Sequence, residues 1–143
     1  MELNPDDPEG WVIKARVQEH LARPWAVVAQ TYDKAIGLKH DDPETWVAKA
    51  ATADNFGWYQ EAVDTFDKAL SLESDFPEAL VGRGVALVNL TNYQEALEAF
   101  DKAIRLRPDD PEIWETKARL LRRMDRHEEA QEALEKAMSL KRT

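Results

Sequence analysis

Apolar residues recur three and four positions apart along most of this chain, which is the spacing of amphipathic helices. The pattern divides into four units, each with two such stretches separated by a short polar break. In the second stretch of each unit the apolar residues fall into columns. These columns are Tyr32, Phe66, Phe100 and Leu134; Ala35, Ala69, Ala103 and Ala137; Ile36, Leu70, Ile104 and Met138; and Leu38, Leu72, Leu106 and Leu140. A single hairpin cannot bury these stripes, so the pattern predicts stacked helical hairpins.

A recurring phrase marks the start of each unit. The phrase reads Asp7-Pro8-Glu9-Gly10-Trp11, Asp42-Pro43-Glu44-Thr45-Trp46, Phe76-Pro77-Glu78-Ala79-Leu80 and Asp110-Pro111-Glu112-Ile113-Trp114, with its last residues 35, 34 and 34 positions apart. Aspartate, proline and glutamate in this order favour a helix N-terminus. A period of this length indicates a repeat protein. We expect one domain over residues 1–143, with repeats at about 8–42, 43–76, 77–110 and 111–143.

The repeat columns resemble the tetratricopeptide repeat over residues 5–142. Each repeat has a small residue at its eighth position, and the aligned alanines and aromatic residues follow in the second helix. These small residues are Ala15, Ala50, Gly84 and Ala118. The resemblance implies an all-α, right-handed superhelical solenoid of eight helices that acts as a non-catalytic scaffold for protein partners. The Asp-Lys-Ala phrase at 33–35, 67–69 and 101–103 is similar to archaeal and bacterial repeats.

The resemblance also implies where a partner binds. In this family the fifth, ninth and twelfth positions of the first helix line a concave groove that receives peptides. Val81, Val85 and Val88 form an apolar stripe beside the core stripe of their helix, on a face that a surface helix usually keeps polar. The predicted groove residues are Val12, Arg16, Val47, Ala51, Asp54, Asn55, Val81, Val85, Val88, Asn89, Arg119 and Arg122. The alternative is that neighbouring repeats cover the valines.

Arginines concentrate near the end of the first helix of the last repeat. Residues 111–143 contain eight Lys/Arg and seven Asp/Glu, a net +1, which leaves −10 for the rest of a chain of net charge −9. Arg119, Arg122 and Arg123 are therefore candidates to bind an acidic group of the partner. The alternative is that Arg122 and Arg123 only complement the helix dipole. The chaperone-binding carboxylate clamp is disfavoured, because Val12, Arg16, Ala48 and Glu78 stand at its positions.

Composition narrows the function further. A 33% charged fraction and a net charge of −9 disfavour binding to nucleic acid or to an anionic membrane. The chain has no cysteine, and its three histidines are too far apart along an array to form a site. The paired aspartates fit helix caps better than a calcium loop. We therefore expect no enzyme activity, cofactor or metal, and a cytoplasmic protein without a leader or membrane span.

Self-association through the terminal helices is the competing function. Gln131 stands where the second and third repeats have Val63 and Leu97, as a solvent-facing last helix requires, yet Met138 and Leu140 remain apolar. The pattern favours a monomer and leaves a structural homo-oligomer open. Because the ends of the chain fall near repeat boundaries, a fragment or an engineered piece of a longer array is a third interpretation.

Overall fold

The computed structural model of the chain describes residues 4–142. Within this range the backbone forms eight α-helices and no strand. The helices are α1 (Pro8–His20), α2 (Trp25–Leu38), α3 (Pro43–Asn55), α4 (Tyr59–Leu72), α5 (Pro77–Asn89), α6 (Tyr93–Leu106), α7 (Pro111–Arg123) and α8 (His127–Lys141). They pair as four hairpins, α1 with α2 through α7 with α8. The predicted all-α chain of four hairpins is confirmed.

The hairpins are grouped into two compact units. The N-terminal unit, Met1–Ser74, contains α1 to α4, and the C-terminal unit, Asp75–Thr143, contains α5 to α8. Inside the N-terminal unit α2 packs against α3, and inside the C-terminal unit α6 packs against α7. The second helix of one hairpin thus joins the first helix of the next hairpin in each unit.

Aspartates begin three of the four first helices, as the recurring phrase predicts. The side chains of Asp7, Asp42 and Asp110 accept hydrogen bonds from the backbone N–H two residues further on, at 3.1, 3.3 and 3.0 Å. The proline that follows each aspartate occupies the first helical position, where its missing N–H costs no bond. Helix α5 begins after Phe76 and has no side-chain cap.

Replacing Asp110 with alanine should lower the free energy of unfolding by about 1 kcal/mol, because the amide of Glu112 loses its acceptor. Urea unfolding followed by circular dichroism measures the change. Asp109→Ala is the matched control, since it removes the same charge one residue earlier and leaves the cap in place. Equal losses in the two variants would show that charge and not capping matters at this helix start.

The cores of both units are built from the aligned columns. Tyr32, Phe66 and Phe100 are buried, as are all four alanines of the next column: Ala35, Ala69, Ala103 and Ala137. The fourth column differs from the sequence pattern. Leu38, Leu72 and Leu106 are 44, 44 and 36% exposed, because each is the last residue of its helix and lies past the packed face.

All four hairpins turn at a residue in the left-handed backbone region. Ala22, Gly57, Thr91 and Asp125 have φ of 52°, 81°, 63° and 58°. Each lies two residues after the end of the first helix of its hairpin. Only Gly57 is a glycine, although this region is disfavoured for residues that carry a Cβ.

Polar pairs recur at the joints between hairpins. At the α2–α3 joint the Lys49 ammonium lies 2.8 Å from the Asp33 carboxylate, and at the α6–α7 joint Lys117 lies 2.7 Å from Asp101. These lysines occupy the same position of their repeats, and so do the aspartates. In each unit, therefore, the second helix of one hairpin and the first helix of the next are aligned in the same way and are linked by the same ion pair.

Candidate functional site

A cleft in the C-terminal unit brings together four of the predicted groove residues. Its volume is about 180 Å³. Helix α5 contributes the predicted Val85, Val88 and Asn89, and helix α7 contributes the predicted Arg119. Four further residues that the sequence analysis did not place in the groove complete the lining: Phe100, Thr116, Leu120 and Arg123.

The cleft has an apolar base. The side chains of Phe100 and Leu120 are buried, and Val85 and Val88 beside them are half-buried, so the valines keep part of their surface open to solvent. Gly84 allows this arrangement, since a Cβ at that position would lie 2.8 Å from Cδ1 of the Phe100 ring and nearer still to Cε1. Helix α5 thus approaches α6 closely enough for its valines to border the cleft.

Two arginines supply the positive charge of the cleft. Arg119 and Arg123 are exposed, and the Arg119 guanidinium donates a hydrogen bond of 3.1 Å to the Thr116 hydroxyl. Arg122 is also exposed but is not among the residues that line the cleft. Val81 is half-buried and likewise outside the lining. An acidic group at the cleft would therefore meet two guanidinium groups, one of which is oriented by a hydroxyl.

The helical period explains which lining residues the sequence analysis missed. Residues three and four positions apart share one helix face, so the face that carries Arg119 includes Thr116, Arg122 and Arg123. Spacing alone does not choose between the last two, whereas in the structure Arg123 lines the cleft beside residues of α5 and α6 and Arg122 does not. Phe100 was predicted as core and is core, and it also forms part of the cleft wall.

The N-terminal unit places its predicted groove residues in a more polar setting. Val12, Val47 and Asp54 are half-buried, whereas Arg16 and Ala51 are exposed. The side-chain amide of Asn55, the remaining predicted groove residue of this unit, donates a 3.0 Å hydrogen bond to the Glu19 carboxylate. This side of the N-terminal unit therefore combines small apolar surfaces with an internal polar network.

Buried Tyr32 anchors that network. Its hydroxyl lies 3.1 Å from the Thr52 hydroxyl, which in turn lies 3.3 Å from Oε2 of Glu19. Burial raises the pKa of Tyr32 above its ordinary value. The phenol therefore stays neutral at physiological pH, and the network holds α1, α2 and α3 together without a charge on the tyrosine.

The three repeat tryptophans, Trp11, Trp46 and Trp114, make the same local contact in their repeats. Each is half-buried, and its indole N–H donates to a backbone carbonyl in the segment before the helix. The pairs are Trp11 with Pro5 at 3.0 Å, Trp46 with His40 at 3.0 Å, and Trp114 with Pro108 at 2.9 Å. Each tryptophan thus fixes the segment that precedes its helix onto the helix.

Within residues 4–142, no group of three or more histidine, aspartate or glutamate side chains is arranged to hold a metal ion. None of the eight described helices has the combination of length and hydropathy that a membrane-spanning helix needs.

Comparisons with known proteins agree with this architecture. Residues 57–120 and 90–142 match the family profile of the tetratricopeptide repeat, which together is more than half of the chain. No curated protein sequence is significantly similar to the chain.

Several solved structures share the fold. A crystal structure of MamA superposes with a TM-score of 0.85 at 16% identity over 97% of this chain and 81% of that chain. The fragment of MamA from residue 41 to its end, from Desulfovibrio magneticus RS-1, gives 0.84 at 21% identity over 96% of this chain and 77% of that one. PilF of Pseudomonas aeruginosa gives 0.83 at 17% identity, over 95% of this chain and 62% of that chain.

Proposed function

Because the chain belongs to the tetratricopeptide-repeat family, whose members generally mediate protein–protein interaction and assembly, we propose that it is a non-catalytic module that binds a peptide or helix of a protein partner. The cleft lined by Val85, Val88 and Arg119 is the observation that carries this proposal. The proposed setting is the cytoplasm, and the proposed partner is neither nucleic acid nor membrane.

The size of the cleft supports a peptide over a small molecule. Sites for drug-sized ligands enclose about 300–1,000 Å³. At about 180 Å³ this cleft suits one or two side chains projecting from a longer chain. Its base of Phe100 and Leu120 with Val85 and Val88 beside it favours an aliphatic side chain, since burying apolar surface is the main gain available there.

The charge of the cleft sets the second requirement. Arg119 and Arg123 stand next to the apolar base, and their guanidinium groups are hydrogen-bond donors that match a carboxylate. The proposed ligand therefore carries Asp, Glu or a terminal carboxylate within one helical turn of its aliphatic residue. Val12, Val47, Ala51 and the polar Arg16, Asp54 and Asn55 are proposed as a further contact surface of the N-terminal unit.

Panning a displayed library of random twelve-residue peptides against the native chain tests the proposal. We expect enriched sequences to pair an aliphatic residue with a nearby acidic one. Val85→Glu should abolish binding of these peptides, because it places a carboxylate in the apolar wall and repels the acidic group. Fluorescence anisotropy with the synthetic peptides measures the affinities, and circular dichroism should show unchanged helicity.

A matched pair of arginine variants locates the acidic contact. Arg119→Gln should weaken binding at least tenfold, whereas Arg122→Gln, on the same helix but outside the cleft lining, should change it less than twofold. Peptides that bind the Val85→Glu variant as tightly as the native chain would exclude the cleft as the site.

A further inference from the structure

Helix α1 and the residue that follows it leave a continuous apolar stripe uncovered. Ile13, Val17 and Leu21 follow one another at intervals of four residues and are 57, 51 and 66% exposed. Together with Arg16 and His20 they line a shallow hollow on the surface of the N-terminal unit. Three neighbouring large aliphatic side chains in this state form the kind of patch that usually receives a partner.

The equivalent helices α3 and α7 show what kind of element packs on this face. Val17 occupies the tenth position of its repeat, and the same position holds Thr52 in α3 and Leu120 in α7. Those two residues are only 3 and 1% exposed, because α3 packs against α2 and α7 packs against α6. Helix α1 therefore presents to solvent the face with which α3 and α7 join the second helix of a preceding hairpin.

Charge points to the same kind of occupant. At the internal joints Lys49 pairs with Asp33 and Lys117 pairs with Asp101. The equivalent residue in α1 is Lys14, whose ammonium lies 5.0 Å from the centroid of its own repeat's Trp11 ring. A helix that docks on α1 in the internal register would place an acidic residue near Lys14.

Helix α8 has residues equivalent to those with which α2 and α6 contact the next hairpin. The dipeptide Leu134-Glu135 stands at the positions of Tyr32-Asp33 and Phe100-Asp101, so it offers an apolar residue followed by an acid. One turn further on, Met138 is 52% exposed, whereas its counterpart Ile104 is 9% exposed. The outer face of α8 is thus unpaired where the equivalent face of α6 is covered by α7.

We propose that α8 of one copy docks on α1 of a second copy, head to tail, in the register of the internal joints. Leu134 would lie on Val17 and Glu135 would pair with Lys14. Such a contact is heterologous, so it leaves one free end on each copy and extends to chains of copies as concentration rises. The stripe is smaller than a standard stable interface and the net charge of −9 opposes association, so the assembly is weak and strengthens as added salt screens the repulsion.

Disulfide trapping tests the register, because the chain has no cysteine of its own. Val17→Cys protein is mixed with tagged Leu134→Cys protein and oxidised. We expect the mixed disulfide to exceed by at least tenfold the background given by Val27→Cys with Leu134→Cys. Val27 is the matched control, since it is an exposed valine on α2 outside the stripe. A disulfide formed only between two Val17→Cys chains would overturn the proposal in favour of a symmetric α1 contact.

Sedimentation velocity over a range of concentrations tests the association itself. The native chain should grow in mean mass with concentration. Val17→Asp should raise the apparent dissociation constant at least tenfold, whereas Val27→Asp should leave it within twofold. Lys14→Glu should weaken association, and mixing it with Glu135→Lys should restore it. A monomer at every concentration, or association that Val17→Asp leaves unchanged, overturns the proposal.

The two binding surfaces can be tested separately. Val85 belongs to the cleft of the C-terminal unit, and Val17 belongs to the outer face of α1. Val85→Glu should therefore leave the sedimentation behaviour unchanged, and Val17→Asp should leave peptide binding unchanged.

Discussion

Phe100→Ala is expected to lower the free energy of unfolding by about 3–5 kcal/mol. The ring is fully buried in α6, touches the backbone of α5 near Gly84 and forms part of the cleft wall. Its removal takes away a large apolar surface and leaves a space that rigid helices fill only in part. A loss of this size is a large share of the stability of a chain of this length.

Urea unfolding followed by circular dichroism measures this loss. Leu106→Ala is the control, because it shortens a large apolar side chain of the same helix that is 36% exposed. Its cost should stay below about 1 kcal/mol. Similar losses in the two variants would mean that the packing of the Phe100 ring contributes little to the stability of the chain.

Gly84→Ala is expected to lower the free energy of unfolding by roughly 1–2 kcal/mol, against the usual rule for a helix interior. Alanine normally stabilises a helix relative to glycine by about 1 kcal/mol. At this position the added methyl group would overlap the Phe100 ring, whose Cδ1 and Cζ atoms lie 2.8 and 3.0 Å from the new carbon. We expect the overlap to outweigh the gain in helix propensity, because the ring is fully buried and shifting it would disturb the packing around it.

Two comparisons separate these opposing effects. Gly37→Ala in α2 has no atom within 4 Å of the new methyl group, so it should be neutral or stabilise the chain by up to about 1 kcal/mol. In the Phe100→Ala background Gly84→Ala should also cease to be destabilising, because the overlapping ring is gone. A persistent loss in that background would place the cause in the α5 backbone and not in the ring.

Much of the fold could be predicted from local and periodic signals. The caps at Asp7, Asp42 and Asp110 are decided within three residues, and the structure contains all three. The alanine column and the buried aromatic column follow from a period that repeats four times, which also supports the resemblance that the family match confirms. The exposure of the leucines that end α2, α4 and α6 could not be predicted from the period, because exposure at a helix end depends on where the next helix lies.

The candidate site could be predicted only in part. The stripe of Val85 and Val88 was visible because it breaks the usual polarity of a surface helix, and both residues line the cleft. The choice between Arg122 and Arg123 depends on where α5 and α6 lie, and the spacing of residues within α7 gives no information about that. The exposed stripe on α1 could not be recognised from the sequence. Ile13 and Val17 look like core residues, and only the structure shows that no other helix of the N-terminal unit covers them.

The left-handed residues at the hairpin turns bear on how far such sequences can diverge. Alanine, glycine, threonine and aspartate all adopt a φ between 52° and 81° at this position, although alanine and threonine disfavour it. The side chains at this position therefore do not dictate the reversal of the chain, because backbone hydrogen bonds such as those from Arg23 N–H to Gln18 O and from Arg126 N–H to Leu121 O close the turn. A reversal closed by the backbone constrains its own sequence weakly, which is consistent with proteins only 16–21% identical to this chain having the same backbone course.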